Sequence, residues 1–194
     1  MIKVCLYKSN ISNTSFSLFL TCLTKCSLFT IRTVKITKGD RVMRLTNYSD
    51  YSLRVLIYLA TQETSKLTNI KEISEVYQIS KNHLMKIIFN LGKLGYIETI
   101  RGRSGGFRLA KDPADINIGE LIRKTEENFY LVECFEDKNA CVITPVCSLK
   151  HVLNNALEQF FKVLDQYTLA DIAENKVLLK DYFAMKQQTS SDDV

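Results

Sequence analysis

Cys134, Cys141 and Cys147 form a Cys-x6-Cys-x5-Cys pattern, three thiols inside a fourteen-residue stretch. An odd set of thiols cannot pair off completely as disulfides, and a cysteine that only fills a core needs no neighbours of its own kind. Thiolates are soft donors, so three of them at this spacing suit a soft metal or an iron–sulfur centre. Two plainer readings stay open: incidental core cysteines, or one disulfide with a spare thiol. Zinc ordinarily takes four N or S ligands, often including a Cys-x2-Cys pair, which this stretch lacks. An iron–sulfur electron carrier would need a fourth cysteine for each cluster, to be sought among Cys5, Cys22 and Cys26. A cysteine hydrolase using His151 is weaker still, because no orienting Asn or Asp and no oxyanion loop stand out.

The charge distribution assigns different tasks to different stretches. The net charge is +5, but residues 1–42 carry seven Lys/Arg against one Asp, residues 43–111 eleven against five acids, and residues 112–194 eight against fifteen. A basic block followed by an acidic one points to a polyanionic partner for the first and another role for the second. For residues 43–111 that partner is expected to be nucleic acid.

The elements that must carry this charge are readable from periodicity. Leu53, Leu56, Ile57 and Ala60 repeat at helical spacing and predict a helix from Tyr48 to about Gln62. Asn69 followed by Glu72 is a capping-box signature for a second helix with Ile70, Ile73, Val76 and Tyr77 inward. Ser80 caps a third helix. Its inward residues are Leu84, Ile87, Ile88 and Leu91, with Lys81, Asn82, His83, Lys86 and Asn90 outward and Gly95 at the left-handed stop. Helix, short turn, helix is the helix-turn-helix arrangement. Tyr96–Ile100 and Phe107–Ala110 then read as strands of a β-hairpin wing. Its tip holds Arg101 and Arg103, Arg108 follows on the second strand, and its glycines allow positive φ and close approach to phosphate. A nucleotide-binding loop is excluded by the lack of Gly-Lys-Ser/Thr and of a helix start after the glycines.

Downstream, Asp115 or Asn117 can cap a short helix to about Glu127, and the cysteine loop spans 128–147. From Ser148, Leu149, Val152, Leu153, Ala156, Leu157, Phe160, Phe161 and Leu164 form a stripe about five turns long. A stripe that long and aromatic predicts packing against the same helix of a second subunit. Thr168 can cap a final helix with Leu169, Ile172 and Val177 as its apolar positions, and residues 187–194 read as a disordered polar tail. The expected fold is mostly α: a winged helix-turn-helix domain over 43–127 and dimerisation and C-terminal helices over 148–186.

Residues 1–42 differ from all of this. Ser9 to Thr24 is uncharged but broken by Ser, Thr and Asn, and is shorter than the roughly 20 apolar residues that span a bilayer. Lys38-Gly39-Asp40 would be written in purine-rich codons at ribosome-binding distance before Met43, so 1–42 are read as translated leader and Met43 as the start.

From Met43 to about Phe183 the chain resembles the bacterial winged-helix iron–sulfur transcriptional regulators, and within them the nitric-oxide-sensing repressors. The resemblance is carried by 45–54 (LTNYSDYSLR), 79–86 (ISKNHLMK), 100–106 (IRGRSGG) and 132–147, where Val132-Glu133-Cys134-Phe135 leads to Cys141-Val142-Ile143-Thr144-Pro145-Val146-Cys147. It implies a cytoplasmic, non-enzymatic, homodimeric repressor with no membrane association. Such a protein binds operator DNA through Ser80, Lys81, Asn82, His83, Lys86, Arg101, Arg103 and Arg108, and releases it when nitric oxide reacts with a [4Fe–4S] cluster. The resemblance implies Cys134, Cys141 and Cys147 as cluster ligands, with Asp50 of the partner subunit as the fourth. In the cluster-assembly branch of the family a histidine three residues after the last cysteine completes a [2Fe–2S] site; here that position is Lys150, with His151 one residue later. A winged-helix regulator using zinc, thiol redox or a [2Fe–2S] cluster is the alternative.

If residues 1–42 are leader, a protein starting at Met43 should match the full chain in operator affinity and in iron content. Loss of either property in the short form would overturn the leader reading.

Overall fold

The structure is a computed structural model that describes residues 44–189. The leader reading, Met43, and residues 190–194 of the expected tail lie outside the described residues.

Each of the first three helices starts where a short polar side chain satisfies an otherwise orphaned backbone N–H. Thr46 Oγ1 accepts from Ser49 N at 3.3 Å to open α1, Asn47–Thr61. Asn69 and Glu72 cap each other reciprocally at 3.0 and 3.3 Å to open α2, Ile70–Tyr77. Ser80 Oγ accepts from His83 N to open α3, Lys81–Lys93. Gln78, at φ 54, turns the chain between α2 and α3. The turn is held by Ser74 Oγ, which donates to Ile79 O at 2.7 Å. Gly95, at φ 74, ends the turn after α3 as expected, and Tyr96 N reaches back to Leu91 O at 3.0 Å.

The wing is an antiparallel pair, β1 over Ile97–Ile100 and β2 over Gly106–Leu109, with Ile97 opposite Leu109 and Ile100 opposite Gly106. A third segment joins it: Thr68, just before α2, exchanges backbone hydrogen bonds with Phe107 at 3.0 and 2.9 Å. This corrects the expected use of the wing glycines. Gly102 alone among them has positive φ, at 126°, whereas a Cβ on Gly106 would lie 2.6 Å from Thr68 O and one on Gly105 2.4 Å from Ile100 O. Those two glycines allow close packing of chain on chain within the wing.

Asn117, not Asp115, caps α4, Ile118–Thr125, accepting from Glu120 N at 2.9 Å. After the cysteine loop, α5 runs over Leu149–Leu164 and the chain then returns to the winged-helix domain. Ile118 N donates to Tyr167 O at 3.0 Å, Leu169 N to Ile116 O at 2.8 Å, and Asn117 Nδ2 to Asp165 O at 2.8 Å. Arg123 adds a bidentate pair to Asp165 at 2.6 and 2.8 Å while its guanidinium lies 4.1 Å from the Phe161 ring centre. That hydrogen-bonded guanidinium holds the Asp165 carboxyl below the usual carboxylate range.

The expected single final helix is two. Thr168 does cap the first, α6, but α6 covers only Leu169–Ile172; a second, α7, runs Lys176–Thr189. The break follows from packing. Leu169 and Ala173 are fully buried, whereas Phe183 must reach the rings of Tyr58 and Tyr77, 5.1 and 5.6 Å away, along a different direction. Ile172 and Val177, expected inward, are therefore exposed. Residues 187–189, expected in the tail, are helical.

The core gathers Val55, Leu56, Ile73, Leu84, Leu91, Tyr96, Ile116, Leu121 and Leu169, so the C-terminal return is part of the same interior as the helix-turn-helix. Of α5, Phe161 is the buried residue, Leu153, Leu157, Phe160 and Leu164 are half-buried, and Leu149 and Val152 are exposed.

Leu169→Ala removes a fully buried side chain and should cost about 2–5 kcal/mol, whereas exposed Leu178→Ala should stay within about 0.5 kcal/mol of wild type. Urea unfolding followed by circular dichroism distinguishes them. Equal midpoints would mean that the C-terminal return contributes nothing to the common core.

Candidate functional site

The outward surface of α3 and the tip of the wing carry most of the residues expected to meet a polyanion. Ser80, Lys81, Asn82, His83 and Lys86 are exposed, as are Arg101 and Arg103. Arg108 is different: its guanidinium pairs across the wing with Glu98, directly opposite it in register. A cation already paired on its own hairpin offers less to a phosphate than Arg101 and Arg103, which make no ion pair among the described residues. The Ser80 hydroxyl is likewise engaged as the α3 cap. His83 leans toward Tyr51 of α1, ring centres 6.5 Å apart, and so touches both α3 and α1.

The thiol loop has little regular structure. Cys134 lies in a one-turn 3-10 helix, Glu133–Phe135, and a second, Thr144–Val146, lies between Cys141 and Cys147. Glu133 Oε1 accepts from Ala140 N at 2.9 Å, and Thr144 Oγ1 bridges Cys141 O and Asn139 Oδ1 at 2.8 Å each, folding the loop on itself. The three cysteines are free thiols of intermediate burial. Among the described residues no group of three or more His, Cys, Asp and Glu side chains is gathered to hold a metal ion. The donors therefore suit an iron–sulfur group in chemical type, as free, part-buried thiols on one short loop, without being assembled around a centre within one chain. His151 is exposed on α5.

Asp50 lies in the first turn of α1, where a carboxylate also complements the helix dipole. It is held by Arg54, one turn on, through Nε at 3.1 Å and Nη2 at 2.7 Å. Arg54 in turn lies 5.7 Å from the Tyr51 ring centre and 5.9 Å from that of Tyr77 at the end of α2. Burial pushes the Tyr77 phenol up to about 12, so it stays neutral beside the guanidinium at any physiological pH.

Sequence reasoning missed Arg54, although an Asp and an Arg four residues apart on a helix are a readable pair. It also missed Phe89, which is exposed on α3 out of phase with the core positions, and Lys93, whose Nζ lies 4.4 Å from the Phe89 ring centre.

Residues 45–175 match the Rrf2 family, described as iron-dependent transcriptional regulators. The chain is 62% identical over 114 residues to the HTH-type transcriptional regulator NsrR of Bacillus subtilis, covering 58% of this chain and 78% of that protein. It is 60% identical over 105 residues to NsrR of Geobacillus kaustophilus, covering 54% and 71%. Among solved structures, T. potens IscR superposes with a TM-score of 0.56 at 26% identity over 69% of this chain and 88% of that one. The global cysteine regulator CymR of B. subtilis does so with 0.54 at 28% over 69% and 98%. With these relatives and this fold, the chain belongs to the Rrf2 family of winged-helix transcriptional regulators, proteins that act on DNA and not as enzymes.

Proposed function

We propose that this regulator is a cytoplasmic, homodimeric repressor that responds to nitric oxide. In this reading it holds operator DNA with the α3 surface and the wing tip, and an iron–sulfur cluster, of the [4Fe–4S] type, on Cys134, Cys141, Cys147 and Asp50 of the partner subunit. The observation that carries the reading is a conjunction in one Rrf2 chain: an outward basic helix-turn-helix surface, and apart from it a loop of three free thiols. The apolar residues left exposed on α5, Leu149, Val152 and Val163, support a symmetric pairing of that helix with its copy.

When bound, the cluster supplies iron open to attack by nitric oxide, more so with one oxygen ligand among the thiolates. The chain's own contribution lies on α1. A ligand role for Asp50 would draw charge from the carboxylate that holds Arg54, and Arg54 rests on the rings of Tyr51 and Tyr77. Tyr77 ends α2, and Tyr51 faces His83 in the first turn of α3. A change of partner at Asp50 is thus transmitted to both helices of the DNA-binding pair.

At the DNA, Arg103 is the better phosphate partner and Arg108 the weaker, because Glu98 engages Arg108. Arg103→Ala should weaken operator binding and flatten the dependence of log K on log salt by about one unit, the share of one phosphate contact. An unchanged slope and affinity, measured by fluorescence anisotropy across a salt series, would remove the wing tip from the interface.

For the cofactor, anaerobically purified protein should be coloured and contain iron and sulfide in equal amounts. Ser in place of Cys134, Cys141 or Cys147 should abolish or strongly destabilise that content, with a smaller loss in Asp50→Ala. Titration with nitric oxide should bleach the colour and release DNA over the same equivalents. Colourless protein with stoichiometric zinc, or DNA retained after complete bleaching, would return the zinc or thiol-redox alternative.

A further inference from the structure

Phe89 is 63% exposed on the side of α3 opposite Leu84, Ile87, Ile88 and Leu91, and Met85, one helical turn before it and 50% exposed, lies on the flank of that side. Asn82, Lys86, Phe89 and Lys93 follow one another at intervals of four, three and four residues, so they form one ridge along the middle of that outward face. The ring is therefore central to the face, with Met85 beside it. Lys93 Nζ lies over one face of the ring, 4.4 Å from its centre, and leaves the ring edge and the other face open.

The charges around this apolar pair identify what covers it. The segment Lys81–Lys93 carries Lys81, Lys86 and Lys93 and has no Asp or Glu. An apolar protein surface as partner would leave three ammonium groups to be desolvated without a counter-charge, whereas a polyanion neutralises them. Within a polyanionic duplex, the apolar groups presented on the floor of the major groove are the 5-methyl groups of thymine, which apolar side chains read by contact.

We infer that Phe89, with Met85 beside it, reads thymine 5-methyl groups in the operator's major groove, making this pair a determinant of sequence specificity alongside the hydrogen-bonding Lys81 and Asn82. The inference rests on the proposed reading of α3 as the DNA-contacting helix. It adds an apolar component to a face that was expected to recognise DNA through polar groups.

The test uses the full chain, purified anaerobically, and a duplex selected from a random-sequence pool. Each thymine of the selected site is replaced in turn by deoxyuridine, which removes the methyl group and leaves the hydrogen-bonding edge intact. At the contacted positions the replacement should weaken wild-type binding about fourfold, the worth of one buried methyl group, and should cost Phe89→Ala nothing further. Phe89→Ala should itself weaken the selected site while leaving affinity for a scrambled duplex and the salt slope unchanged, and Phe89→Leu should retain most of the discrimination. Because Phe89 is exposed, neither variant disturbs the core.

Deoxyuridine replacements that cost wild type nothing, or that cost Phe89→Ala as much as wild type, overturn the inference. A drop in oligomeric state of Phe89→Ala by light scattering also overturns it, because the ring would then belong to a contact between copies of the chain. Failure of wild type to select any duplex is a separate result: it removes the DNA-contacting reading of α3, and this inference with it, before any variant is made.

Discussion

Burial of α1 on nearly every side is the constraint on which the other elements depend. Ser49, Ser52, Val55, Leu56, Tyr58, Leu59, Ala60 and Thr61 are all buried, a much wider stripe than one neighbouring helix can cover. α3 covers one part, β2 and α4 others, and the C-terminal return brings α6 and α7 over the rest. The small hydroxyl residues make this close approach possible without stranding polar atoms: Ser52 Oγ donates to Tyr48 O at 2.7 Å and Thr61 Oγ1 to Tyr58 O at 2.7 Å. Because each neighbour rests on the same helix, a displacement at one end of α1 is felt wherever α1 is covered.

The two functional regions differ in how firmly they are built. α3 is capped, fully packed along its inner face and stopped by a left-handed glycine, so its outward side chains project from a rigid support. The thiol loop has two single-turn 3-10 helices and a few side-chain-to-backbone bonds, and Val142 and Val146 at its surface are 92% and 85% exposed. Elements with so few buried contacts open and rearrange at little cost. A rigid helix-turn-helix and an adaptable loop are the division of labour that the proposed reading requires.

Coupling between them has a physical route. α4 is tied to the end of α5 by Arg123 with Asp165 and by Asn117 with the Asp165 backbone, so the two ends of the segment carrying the thiol loop are held together. α4 also meets the start of α1, where Glu126 Oε1 accepts from Thr46 N at 2.8 Å, one turn before Asp50 and two before Arg54. The loop is thereby closed onto the helix on which the helix-turn-helix pair is mounted.

Local signals were sufficient wherever one residue governs its own neighbourhood. The capping side chains Asn69, Ser80 and Thr168, the stop at Gly95, the hairpin and the cysteine spacing were all readable, and Asn117 was one of two candidates, since caps, positive φ and soft donors are properties of a residue and its near neighbours. The matches to the helix-turn-helix and the wing follow from the same local logic. Tertiary structure decided what depends on distant partners. The C-terminal helix breaks after α6 because Leu169 and Ala173 must stay beneath α1 while Phe183 reaches Tyr58 and Tyr77. Gly106 proved to be needed for Thr68, and Arg108 is engaged by Glu98 on the facing strand. Which side of a helix is covered, and which charge is already paired, are set by chain segments far apart in sequence, and periodicity carries no record of them.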